Sequence, residues 1–110
     1  MMDKRLPAVA DQLLLIEREL RLLGWWEAEP PSARALASEQ PFCVDTLHLH
    51  QWLQWVFLPR MQALVETGQP LPAASGIREI AEVMYAEQLA RVGPLLAALG
   101  TFDRLISEGN

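Results

Sequence analysis

The chain lacks most of what a sheet-based or disulfide-stapled protein needs. It has a single cysteine, Cys43, so no intramolecular disulfide can form, which agrees with a reducing compartment. Val, Ile and Thr together number 13 against 33 Leu and Ala, a balance that favours helix and argues against the parallel sheets of cofactor-binding folds. Lys and Arg number 9 against 14 Asp and Glu, a net charge of −5. That leaves little with which to displace counterions from phosphates, and no direct nucleic-acid binding is expected.

Long apolar runs are missing too. The longest stretch without a formal charge, residues 46–59, holds two His and two Gln and falls short of the ~20 apolar residues that cross a bilayer. Near the start, the apolar run at residues 13–16 is too short for a signal peptide. The expectation is no membrane and a cytoplasmic location. No Gly-rich phosphate loop, GxSxG, HExxH or CxxC occurs, so no cofactor, metal or standard catalytic apparatus is expected.

What is present reads as one helical domain over residues 1–110. A chain of this length buries roughly two-thirds of its unfolded surface, enough for one core. Leu6, Val9, Leu13, Ile16, Leu20 and Leu23 recur at 3,4,3,4,3, with Pro7 in the first turn and Gly24 as a stop, which predicts a first helix over 6–23. Residues 25–45 carry Trp25, Trp26, Leu36 and Phe42 among three prolines. These side chains are too apolar for a flexible linker, so the segment is predicted to be an ordered crossover pinned by its rings, with a helical turn or two at 32–37.

A second helix is predicted from Leu47 to about Glu66, capped by Asp45 or Thr46 and stopped at Gly68. Its main apolar face holds Leu49, Trp52, Leu53, Val56, Phe57, Met61 and Leu64, and a second strip holds Leu47, Leu58 and Val65, which makes it central. Pro59 lies inside it, has no N–H to donate and frees the carbonyl of Trp55, so a kink is predicted there. A third helix capped by Ser75 is predicted over about 76–88, with Ile77, Ile80, Ala81 and Met84 inward and an Arg78–Glu82 pair outward. A fourth runs from 91 or 94 to 107, with Gly100 on its outer face. The predicted fold is an all-α four-helix bundle with a long crossover between helices 1 and 2.

Few residues suggest chemistry. His48 and His50, two apart on a helix, would point some 200° from each other and could not share an ion. Cys43 lies in an apolar Pro-Phe-Cys-Val run and reads as a buried, inert thiol. The run from Trp52 to Phe57 reads as core, and each Trp N–H needs a partner where it is buried. On a helical wheel Arg60 falls among Leu53, Val56 and Leu64, where it must snorkel to water, pair with Asp103, with Asp45 or with the carbonyl that Pro59 frees, or else serve an anionic ligand.

Three stretches resemble one family: Ser38-x-x-Pro41-Phe42-Cys43-x-Asp45-Thr46, then Trp52-Leu53-Gln54-Trp55-Val56-Phe57-x-Pro59-Arg60-Met61, then Leu71-Pro72. The chain is similar to the YqcC-like family, a bacterial domain of unknown function, from Glu17 and Leu20 in helix 1 to the closing Phe102-Asp103-Arg104-Leu105. It departs from the family pattern at Phe102, where members often have Leu, and at Gly93-Pro94. The resemblance implies an all-α bundle and an association, by gene neighbourhood or occasional fusion, with a tRNA pseudouridine synthase of the C type. It marks Asp45, Thr46, Trp52, Gln54, Trp55, Pro59, Arg60 and Asp103 as candidate residues of a ligand or partner site.

Three functions compete. The first is a non-catalytic module that binds a protein partner, such as that synthase, through an apolar strip. The second is a small-ligand bundle that holds an anion with Arg60 and the Trp residues. The third is a free-standing RNA-modifying enzyme, which the charge and the absent motifs oppose.

Overall fold

Helix α1 spans Leu6–Leu22 in the computed structural model, which describes residues 3–108 of the chain. Pro7 sits in its first turn, and Gly24, at φ 78°, turns the chain away after its end. The 3,4 stripe is its buried edge: Leu6, Val9, Leu13, Ile16 and Leu20 are all withdrawn from solvent.

The crossover is ordered. It contains α2, a single turn over Ala33–Leu36 whose first N–H groups need a cap. Ser32 Oγ supplies it, accepting from Ala35 N at 3.1 Å. A 3₁₀ turn follows over Pro41–Cys43. Trp25, Trp26 and Phe42 pack against the core and pin the crossover as their apolar area requires.

The central helix, α3, is built in three consecutive pieces: an α turn over Leu49–Trp52, a π turn over Leu53–Phe57, and an α segment over Leu58–Thr67. The disturbance expected at Pro59 takes the form of that π turn. Leu58 N–H reaches back five residues to the Leu53 carbonyl, which places the widened hydrogen-bond ring just ahead of the proline that cannot donate. Gly68 ends the helix in the left-handed region at φ 67°. The second apolar strip is not an exposed surface: Leu47 and Leu58 are buried and Val65 packs on the core.

Helix α4 spans Ile77–Met84 and is followed by a 3₁₀ turn over Ala86–Gln88, so it is shorter than predicted. Its inward row is Ile77, Ala81 and Tyr85, while Met84 points out at 48% exposure. Helix α5 spans Gly93–Ser107 and buries Leu95, Leu99, Phe102 and Ile106 on the predicted 4,3,4 spacing. It packs along α1 and against α4. Phe57 and Phe102 meet edge-on at 5.0 Å between centroids, a geometry worth about 0.5–1.5 kcal/mol beyond the area it buries. Gly100 is not on an open face, because a Cβ there would lie 2.8 Å from Arg78 Nη1. The described residues are all-α, with four longer helices and one single-turn helix and no strand.

Candidate functional site

The residues singled out in the sequence do not gather at one point. Thr46 Oγ1 donates to the Ala35 carbonyl at 2.7 Å, and Asp45 accepts from Ser38 Oγ, so both tie the crossover to itself. Neither caps α3. The capping position is His48, whose N–H donates to Gln51 Oε1 at 2.8 Å, half of a capping box.

Gln54 and Trp55 converge on Glu27. Gln54 is buried, and its amide clamps the Glu27 backbone from both sides, accepting from N–H at 2.8 Å and donating to C=O at 2.7 Å. Trp55 Nε1 and Gln51 Nε2 donate to the Glu27 carboxylate at 3.2 and 3.1 Å. The indole N–H thus finds the partner it needs, and the crossover is tied to α3. Gln54, Trp55 and Pro59 also line one shallow surface groove with Trp26 and Glu17.

Arg60 is exposed rather than embedded among Leu53, Val56 and Leu64, and makes no hydrogen bond or ion pair among the described residues. The wheel assumed 100° per residue throughout, and the π turn shifts the register before Arg60 is reached. Its candidate partner, Asp103, is engaged elsewhere. That carboxylate accepts from Ile77 N at 3.0 Å, Arg78 N at 2.8 Å and Ser75 Oγ, and so it caps α4 in place of Ser75. Arg60 and Trp52 share a small groove of about 290 Å³ with Phe42, Met61 and Phe102. Trp25, Trp26 and Trp55 lie outside it, so the guanidinium and the four indoles do not surround one cavity.

A larger concavity lies elsewhere, between the crossover, the start of α3 and α4. It holds about 600 Å³ and its wall includes Trp25, Phe42, Val44, His50, Met84 and Tyr85. Its wall carries no Asp, Glu, Lys or Arg. Trp25 joins two of the polar rings, lying 5.2 Å from His50 and 4.9 Å from Tyr85 between centroids. Arg91 covers Trp25 at 5.4 Å and donates to the Leu23 carbonyl at 2.9 Å, fixing the indole. His50 Nδ1 and the Tyr85 hydroxyl are both buried without a well-formed hydrogen bond, the hydroxyl having only a weak contact with the His50 backbone. Each such group costs about 1–3 kcal/mol, so the pair marks a place where stability was not maximised.

Burial sets their ionisation. It pushes His50 below the ordinary 6.5, with His48 adding to the effect and Glu27 opposing it, and it raises the Tyr85 hydroxyl to about 12 against a lowering contact with the His50 backbone. Near neutral pH both side chains are therefore uncharged, a neutral imidazole and a protonated phenol. Phe42 and Cys43, on or beside the cavity rim, have φ of 58° and 50°. Left-handed backbone in two successive non-glycine residues is costly and tends to gather at functional sites. Cys43 itself is buried, as expected of it.

His48 and His50 do not diverge: their rings stack at 5.4 Å and 10° because His48 stands in extended backbone ahead of α3 rather than within it. Among the described residues no group of three His, Cys, Asp or Glu is placed to hold a metal ion. Likewise no described helix is long and apolar enough to cross a membrane. The sequence did contain signals for the cavity. Gln51, three residues after His48, is a capping-box spacing, and Tyr85 continues the row Ile77, Ala81 at an interval of four.

Comparison with known proteins agrees with this architecture. Residues 8–105 match the family DUF446, described as tRNA pseudouridine synthase C. An uncharacterized protein of Haemophilus influenzae is 43% identical over 90 residues, which cover 79% of this chain and 82% of the relative. The uncharacterized protein YqcC of Escherichia coli is 35% identical over 97 residues, 88% of this chain and 89% of the relative. A tRNA pseudouridine synthase C of Pectobacterium carotovorum is 47% identical over 64 residues, 58% of this chain but only 17% of the synthase. The solution NMR structure of E. coli YqcC aligns with a TM-score of 0.84 at 33% identity, covering 100% of this chain and 92% of that one.

Proposed function

The chain belongs to the YqcC-like family, DUF446, and on that premise we propose that it is a non-catalytic module that binds a tRNA pseudouridine synthase of the C type. The observation that carries this reading is the 64-residue match that occupies 17% of a chain bearing that enzyme's name. A domain that stands alone in some proteins and shares a chain with an enzyme in another is suited to meeting that enzyme as a separate subunit.

Two features of the molecule support the reading. An enzyme that handles tRNA needs a basic surface, and the net charge of −5 on this chain complements one. Helix α1 also turns Leu14 and Leu22 to solvent at 66% and 69% exposure, on the side opposite its packed stripe. Exposed Leu14 and Leu22 stand on either side of exposed Arg18, and Arg is enriched at protein interfaces.

The carboxylates available to the chain have structural duties. Asp103 caps α4 and Asp45 ties the crossover. The test is an assay for pseudouridine on tRNA with the purified chain alone, then with the cognate synthase. The reading expects no product from the chain alone and a complex with the enzyme. Turnover by the isolated chain, abolished by Asp45→Asn or Asp103→Asn in a folded protein, would overturn it.

A further inference from the structure

We infer that the groove beside Arg60 is a binding site for a small apolar carboxylate, one ring or a short hydrocarbon chain ending in an acid group, with the guanidinium as its counter-ion. No residue of α1 stands in its wall, so the site does not depend on the surface assigned to a synthase partner.

Charge comes first. Arg60 is exposed, makes no hydrogen bond or ion pair among the described residues, and is the sole charged residue in the groove wall. Asp103, next in sequence to Phe102 of the wall, does not neutralise it. That carboxylate is taken up by Ser75 Oγ and by the N–H groups of Ile77 and Arg78, three donors that offset its charge. A guanidinium without an acid partner is suited to receive a carboxylate, whose two oxygens match its fork of donors.

The rest of the wall narrows the occupant. Phe42 meets Trp52 edge-on at 4.8 Å between centroids, Trp52 lies 5.5 Å from Phe57, and Phe57 meets Phe102 edge-on at 5.0 Å. Phe57 and Phe102 are core rings that back the groove, while half-buried Phe42 and Trp52, with exposed Arg60, supply the accessible surface. Ser75, the other polar side chain of the wall, spends its hydroxyl proton on Asp103, which leaves the guanidinium as the polar anchor for an otherwise apolar molecule. Phe42 holds its place through left-handed backbone at φ 58°, a costly arrangement for a non-glycine residue and one that gathers at ligand clamps. The volume of about 290 Å³ suits one ring with a short acid tail, since a cavity of about 150 Å³ can hold benzene.

The test titrates hydrocinnamate, and separately its uncharged amide, into the full chain and follows the indole N–H signals by NMR. The acid is expected to saturate below about 10 mM, to move the Trp52 signal more than those of Trp25 and Trp26, and to bind at least about fivefold more tightly than the amide. Arg60→Gln, at an exposed position where the fold does not need the charge, should weaken the acid about five- to tenfold and leave the amide within about twofold. Absence of saturable binding by the acid, an amide that binds as tightly, unchanged acid affinity in Arg60→Gln, or a Trp52 signal that stays still while those of Trp25 and Trp26 move would each overturn the inference.

Discussion

The Asp103 carboxylate on α5 receives the main-chain N–H groups of Ile77 and Arg78 at 3.0 and 2.8 Å, so one helix is capped by a side chain borrowed from its neighbour. The first turn of α4 would otherwise leave these donors unpaired. The same contact couples two helices that are 26 residues apart in sequence at the cap.

Asp103→Ala should therefore destabilise the fold by about 1–2 kcal/mol, the usual cost of a lost helix cap. Arg60→Ala should change stability by no more than about 0.5 kcal/mol, as for an exposed side chain without partners. Urea unfolding of the two variants checks the contrast, and the reverse order would restore a structural role for Arg60.

Gln54→Leu leaves the Glu27 N–H and C=O without their shared partner. A cost of about 1–3 kcal/mol is expected. Amide exchange should accelerate at Glu27 more than in α5, because the amide clamp fastens the crossover and not the bundle.

Helix positions were legible in the sequence wherever an apolar stripe and a stop coincided. Helix α1 between Pro7 and Gly24 and the end of α3 at Gly68 both came from local signals that tertiary packing had no reason to override. Arg60 was misplaced because the wheel has no π turn in it, and a single widened turn rotates all later residues. The cavity was hidden for a different reason. His50 and Tyr85 are distant in sequence and meet in the fold, with Trp25 packed against both rings, and no periodicity links the three.

Gly100→Ala sets two effects against each other. A Cβ would meet Arg78 Nη1 at 2.8 Å and Cδ at 2.9 Å, so the arginine must move and its 3.9 Å approach to Glu82 is lost. That exposed pair contributes roughly 0–1 kcal/mol, whereas removing glycine from a helix interior gains about 1 kcal/mol. Arg78 is a flexible surface side chain, so the gain is expected to win and the melting temperature to hold or rise slightly. A marked fall would show that the arginine cannot move aside.

His50 should make stability depend on pH. Its folded pKa lies below 6.5, so below that value the unfolded chain takes up a proton that the native state resists. Stability contributed by neutral His50 is present above pH 6.5 and falls as the pH drops through the window beneath it. His48 deepens the effect and Glu27 opposes it. Thermal unfolding across this range should show a smaller slope for His50→Gln than for the parent chain.

The most direct test of the central claim is isothermal titration of the purified chain into the cognate tRNA pseudouridine synthase C, at low salt and again at high salt. The account predicts saturable one-to-one binding that weakens with salt, and a loss of about tenfold or more for a Leu14→Glu, Leu22→Glu double variant whose melting temperature is unchanged. No heat of binding with the enzyme at about 100 μM would contradict it.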